Sequence, residues 1–299
     1  MAANYWESSQ RKFWTFSKRD LTDLRRAQEV ENSQLYSQYP LPDRRLTNIY
    51  FQMQLTKLAK RMSTRQQAVA TAQVYIRRFY TRREIRTTNP YLVLSTAFYL
   101  ACKMEECPQH IRIVVGEARQ FWPDAVSSEV SKLGECEFHL ISEMNSQLII
   151  HHPYRTLTEL QTLFSLTSEE ISLAWSIIND HYLTDLPLLY PPHIIAITAV
   201  FLAVVLKPTT QTTKAQSHNL QAALQVAINT PSGTSGGALT GQNKVQKLLN
   251  WIAEGSVAIE ALVDCTQELI SLYEVWESYN EKVCKEQVMR FVKGRGLDK

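Results

Sequence analysis

The sequence predicts an all-α protein made of two helical units in tandem, and three features carry that prediction. The first is the run from Asn89-Pro90 to Cys102, uncharged and apolar, which ends abruptly at Lys103. Asn caps helices, and Pro suits a first turn because its missing N–H would be unpaired there anyway. A helix apolar on all sides is a buried one, and about twelve such residues fall short of the twenty or so that cross a membrane. The second feature is a matching run at residues 194–206, opened by Pro191-Pro192 and followed by Lys207-Pro208. The third is a pair of capping-box patterns, Thr64 with Gln67 and Thr167 with Glu170, each leading into apolar residues at three- and four-residue spacing. Boxes and apolar runs both recur roughly one hundred positions apart, which reads as an internal duplication.

In chain order, residues 1–19 hold Trp6, Phe13, Trp14 and Phe16 among polar neighbours. Such bulky rings pin a tail, and the protein's own body is the favoured anchor over a partner. Asp20 or Thr22 caps a peripheral helix reaching about residue 38, whose apolar positions (Leu21, Leu24, Val30, Leu35) are sparse. Tyr39-Pro40-Leu41-Pro42 breaks it. Helices follow at 47–62, 64–83, the apolar pillar, 111–121 and about 127–141, making five. In the last, Val130, Leu133, Glu137, Leu140, Ile141 and Met144 are read as one face, with Glu137 the odd carboxylate in an apolar stripe. The pattern restarts after His151-His152, with Ile171, Ala174, Trp175, Ile178 and Tyr182 on its first amphipathic helix. Residues 208–243 read as a low-complexity insertion, with a short helix at 220–228 and flexible-loop composition from 231 to 241. Helices at 244–253 and 257–279 complete the second unit, and the end beyond Lys293 reads as frayed. The expected organisation is therefore a tail and peripheral helix over 1–45, a first unit over 46–150, a second over 151–292 and a C-terminal tail over 293–299.

Composition narrows the class. The 299 residues are 44% hydrophobic and 20% charged, with 9 Gly, a globular and not a disordered balance. A net charge of +3 does not by itself point to nucleic acid. Five cysteines (102, 107, 136, 265, 284) without C-x-x-C suit free thiols in a reducing compartment, not disulfides or zinc. The polar, aromatic N-terminus does not resemble a signal peptide, and the chain reads as soluble and intracellular. No enzyme signature stands out. Residues 233–237 match G-x-S-x-G, but a nucleophile elbow needs a strand before it and a helix after it, and both flanks read as loop. His151 and His152 are adjacent, and neighbouring residues rarely point at one metal, so no metal or cofactor is expected. Arg77, Arg78, Arg82, Arg83 and Arg86, with Tyr80 among them, suit either phosphate contacts or a solvated helix end whose cations favour the dipole. The second reading is the favoured one.

Two tandem five-helix units, the pillar end Ala-Cys-Lys-Met-Glu-Glu at 101–106, and the run Glu137-Phe-His-Leu140-Ile141-Ser-Glu-Met144 resemble the cyclin box fold. Finer segments are similar to the cyclin C type in particular: residues 4–9 (Asn-Tyr-Trp-Glu-Ser-Ser), Gln66-Gln67, Cys136-Glu-Phe138, His152-Pro-Tyr-Arg155 and residues 184–192. The resemblance spans residues 4–279 apart from the insertion. It implies a regulatory cyclin in the nucleus that binds and activates a cyclin-dependent kinase of the Mediator complex, regulating RNA polymerase II transcription. Further Mediator subunits are implied as partners, with no direct nucleic acid and no membrane. By the same resemblance Lys103 and Glu137 hydrogen-bond the kinase backbone beside its mobile αC helix. Met104, Glu106, Ile141 and Met144 complete the kinase-binding set, and Trp175, Asn179 and Asp180 line a groove between the boxes. The residues themselves agree on the pair: a cation at the pillar's end and a carboxylate in an apolar stripe both require polar partners. An internal Lys103–Glu137 salt bridge is compatible with that role. The chain departs from cell-cycle cyclins in lacking their M-R-A-I-L docking patch at residues 47–55, and Ser146 stands where an aromatic is common. The competing readings are a TFIIB-like nucleic-acid-binding factor and the cyclin of another transcriptional kinase.

Overall fold

The structure, a computed structural model, describes residues 4–206, 239–255 and 257–298, with only the backbone of 239–243. The expected helix at 220–228 and the G-x-S-x-G match at 233–237 lie outside the described residues. Among those described there is no strand. They form two compact units, one of Met1–His152, Tyr182–Leu189 and Ile270–Lys299, the other of Pro153–His181 and Tyr190–Leu269.

The first unit opens with α1 (Ser9–Phe13), α2 (Lys18–Glu31) and α3 (Ser33–Gln38). The cap of α2 is Ser17, not Asp20 or Thr22: Asp20 is its reciprocal partner, accepting from the Ser17 N–H. The single peripheral helix expected to residue 38 breaks at Asn32. The tail is pinned to the body by its rings, Tyr5 edge-on to His151 and Trp14 and Phe16 at the core. Trp14 is 1% exposed, donates its indole N–H to Gln147 Oε1 at 2.6 Å and stacks under the Arg78 guanidinium at 4.8 Å. Phe16 packs against the same core, while Trp6 and Phe13 stay exposed.

The five expected helices follow as α4 (Arg44–Arg61), α5 (Gln66–Arg82), α6 (Pro90–Met104), α7 (Ile111–Phe121) and α8 (Val130–Glu143). The pillar is α6, which packs against α4, α5, α7 and α8 and buries Tyr91, Leu94, Phe98 and Ala101. Asn89 caps it through Oδ1, and its amide donates to the carbonyls of Ala125 and Leu297. The first capping box does not form. Ser63 takes a φ of 49°, the Thr64 N–H returns to the Ala59 carbonyl and the Ser63 N–H to Lys60. That closes α4 in a Schellman motif, so Thr64 ends one helix instead of starting the next.

The C-terminus also departs from expectation. Residues beyond 279 form α15 (Glu281–Gly294), which buries Cys284, Val288, Phe291 and Val292 in the first unit's core. Beyond Lys293 the chain is tied down: the Leu297 N–H returns to Val292, Gly296 to Lys293, and Arg295 donates to the Arg86 carbonyl. Gly296 has a φ of 64°, the left-handed position that favours glycine.

The second unit holds α9 (Tyr154–Leu163), α10 (Ser168–His181), α12 (Pro192–Leu206) and α13 (Leu239–Glu254), with α14 (Ile259–Glu277) beginning there and ending in the first unit; the short α11 (Leu186–Leu189) belongs to the first. The second capping box does form: the Thr167 N–H donates to Glu170 and the Glu170 N–H to Thr167 Oγ1. The second pillar is α12, with Ile194, Ile197, Val200 and Leu202 buried, packed against α9, α10 and α13.

Candidate functional site: the rim of α6 and α8

Lys103 lies in the last turn of α6 and Glu137 in the middle of α8. The Lys103 ammonium sits 2.5 Å from Glu137 Oε1 and 4.6 Å from the centre of the Tyr99 ring, one turn back along α6. The internal salt bridge therefore exists, and it leaves the ammonium partly open to solvent. Glu137 Oε1 is buried against the ammonium, its side chain 14% exposed. The Lys103 side chain remains 38% exposed with donors to spare.

Around the pair the surface is apolar. Met104 is 38% exposed and Phe138 81% exposed. Gly134, Glu137, Phe138 and Ile141 fall at i, i+3, i+4 and i+7, one face of α8. A Cβ at Gly134 would meet nothing within 4 Å, so this face carries an open notch one turn from the carboxylate. Beside it, on the flank turned to α6, Leu133, Leu140 and Met144 are buried in the core.

That split corrects one expected contact. Met144 has no exposed surface, caps α8 with its N–H on the Leu140 carbonyl, and serves as floor, not as a contact. Glu106 is exposed and takes a left-handed φ of 52°. Its N–H returns to Lys103 and that of Cys107 to Cys102, a Schellman motif that fixes how α6 presents its end. Glu105, its neighbour, turns inward. It accepts from Thr71 at 2.6 Å and Gln67 at 2.7 Å, with the His152 ring 3.8 Å away. Burial raises its carboxyl, but the hydrogen bonds of His152, Thr71 and Gln67 outweigh that and hold it below its ordinary range. Phe138, Gly134 and Tyr99 escaped the sequence reading. The signal for Phe138 was an aromatic standing off the apolar stripe, on a face that should have been polar.

The basic stretch divides: Arg82 and Arg83 are the exposed helix end of the favoured reading, whereas Arg77, Arg78 and Arg86 are buried. Arg78 is wholly buried and donates to the Gln147 carbonyl. Arg77 donates to the Tyr182 carbonyl and pairs with Asp185, and Arg86 pairs with Glu84 beneath the Tyr36 ring. Arg82 covers Trp14, and Arg83 meets Glu143 at 2.6 Å. Arg77, Arg78 and Arg86 are internal cement, while Arg82 and Arg83 stay exposed at the end of α5. In the second unit Trp175 stacks on Tyr154 with centroids 4.5 Å apart, and the Tyr154 hydroxyl donates to Asn179. Asp180, next along α10, is half-buried. Among the described residues no three or more His, Cys, Asp or Glu side chains gather as metal ligands, and no helix is long and apolar enough to cross a membrane.

The fold is all-helical, and the family model of the cyclin N-terminal domain matches residues 19–149, which places the chain in the cyclin class. The chain is 61% identical, over the whole length of both, to an RNA polymerase II holoenzyme cyclin-like subunit of Aspergillus oryzae. It belongs to that family of fungal, cyclin C-type proteins. Among solved structures it is similar to a chain of the CAK complex of Chaetomium thermophilum, with a TM-score of 0.67, 18% identity and coverage of 97% of this chain and 88% of that one. A chain of the yeast RNA polymerase II CTD kinase complex CTDK-1 matches at a TM-score of 0.52 and 14% identity, over 85% and 82%. At such identity these two establish the fold alone.

Proposed function

We propose that this chain is the regulatory, non-catalytic cyclin of a Mediator-associated cyclin-dependent kinase, acting in the nucleus on RNA polymerase II transcription. The observation that supports this best is the partly exposed Lys103–Glu137 pair set beside exposed apolar side chains. A partner helix laid on the rim supplies backbone groups for both charges and covers Met104, Phe138 and Ile141. Full burial of a large apolar side chain is worth about 1.5–3 kcal/mol, enough to make Phe138 an anchor. Seated there, the kinase αC helix is held inward, so that its Glu pairs with the β3 Lys over the nucleotide phosphates. The cyclin's contribution is positional: it removes a conformational cost that the free kinase would meet at every turnover.

The test is recovery of the kinase from nuclear extract on the wild-type chain and on Lys103→Ala, Glu137→Ala and Phe138→Ala, with the bound subunit identified by mass. Truncating one partner of a desolvated charged contact costs about 2–5 kcal/mol of binding. Loss of the kinase from each variant is expected; undiminished recovery from all three overturns the site. A kinase of another transcription complex in the wild-type eluate would keep the cyclin reading and remove Mediator from it.

A further inference from the structure

Away from the rim, the first unit contains a cavity of about 320 Å³ between α2, α3, α4 and α5, within the size range of small-molecule sites. Its apolar walls include Tyr36, Phe51, Ile76 and Tyr80, and its charged ones are Arg44, Arg77, Arg83, Arg86 and the carboxylate of Glu84. The charge around it is unbalanced. Asp185 is shared by Arg25 at 2.6 Å and Arg77 at 3.4 Å, and Glu84 is taken by Arg86 at 2.5 Å. Arg44 is then left over. Among the described residues it has no hydrogen bond or ion pair, and it senses Asp185 and Glu84 only through their fields. Burial draws its guanidinium below its ordinary range, a cost that an anion in the cavity would offset.

A second observation is independent of charge. Gln73 also lines the cavity, is only 3% exposed, and has neither its amide nitrogen nor its oxygen hydrogen-bonded. Buried amides without partners are costly and rare, and this one lies beside an open volume. We propose that the cavity binds a small aryl anion, an aromatic body carrying a phosphate or carboxylate. Arg44 takes the anionic group in its planar fork, the rings of Tyr36, Phe51 and Tyr80 enclose the body, and Gln73 gains its missing partner.

Calorimetric titration of the full-length chain with phenyl phosphate, benzoate and inorganic phosphate tests this. Saturable binding of an aryl anion is expected, at least tenfold tighter than inorganic phosphate, and tenfold or more weaker in Arg44→Ala. Phenyl phosphate binding better than benzoate identifies a phosphate-bearing ligand, and the reverse a carboxylate; both support the site. Gln73→Leu gives a signature of its own, because removing an unpartnered amide raises the melting temperature of the free protein while weakening the aryl anion. No saturable binding in the millimolar range, equal affinity for inorganic phosphate, or binding indifferent to both substitutions overturns the proposal.

Discussion

Glu106 and Gly134 each occupy a backbone position suited to the other's residue type, and both border the rim. Glu106 holds a left-handed φ where glycine would be unstrained, at a cost of about 1 kcal/mol. Glu106→Gly should therefore raise the urea midpoint by about that free energy at unchanged m-value. Gly134 sits inside a helix with space above it, where Ala would stabilise by roughly 0.5–1 kcal/mol. Gly134→Ala should stabilise the free chain and weaken kinase binding, because the added methyl fills the notch. A gain in stability with binding untouched would place the partner elsewhere on α8. Asp185 carries a pH dependence. Burial raises its carboxyl, but Arg77, Arg44 and Arg25 outweigh that and hold it below its ordinary value. A carboxyl depressed in the folded state contributes stability above its unfolded pKa of about 3.9 and loses it as pH falls further, through the folded value. The difference in melting temperature between wild type and Asp185→Asn should thus be constant near neutrality and shrink below about pH 4.

Among the elements, α15 was invisible in the sequence reading, although its apolar positions Val283, Val288, Phe291 and Val292 are plain once its boundaries are known. Residues 280–292 carry interspersed charges and read as part of the second unit without a helix of their own, and only the end beyond Lys293 reads as frayed. What makes it structural is long-range: Phe291 and Val288 enter a core assembled from residues two hundred positions earlier, which no local pattern reveals. Phe291→Ala should cost about 3–5 kcal/mol in urea denaturation of the first unit, and a cost below 1 kcal/mol would show that the helix is only loosely docked. The pillars were legible because length, cap and uniform apolarity are local properties. The first capping box was misread for the converse reason, since Thr64 satisfies a local pattern but is already engaged by the end of α4. Arg77 and Arg78 of α5 misled in the same way: their partners, Asp185, Tyr182, Gln147 and Trp14, lie far along the chain.

At the scale of the whole molecule, the tandem architecture and the Lys103–Glu137 pair could be anticipated, whereas the division of roles within α8 could not. Period alone put Met144 and Glu137 on one face, and only the packing around α6 shows that the first is floor and the second rim. The resulting picture is of a first unit whose core is closed at both termini by its own segments, Trp14 from one and Phe291 from the other, while the end of α6 and the outer face of α8 leave Met104 and Phe138 exposed beside the ion pair. Amide hydrogen exchange of the full-length chain, alone and with the recovered kinase, measures that claim most directly. New protection concentrated in residues 99–106 and 130–143, with the termini already protected in the free chain, is the predicted outcome. Protection that spares both segments while the complex is fully formed would contradict it.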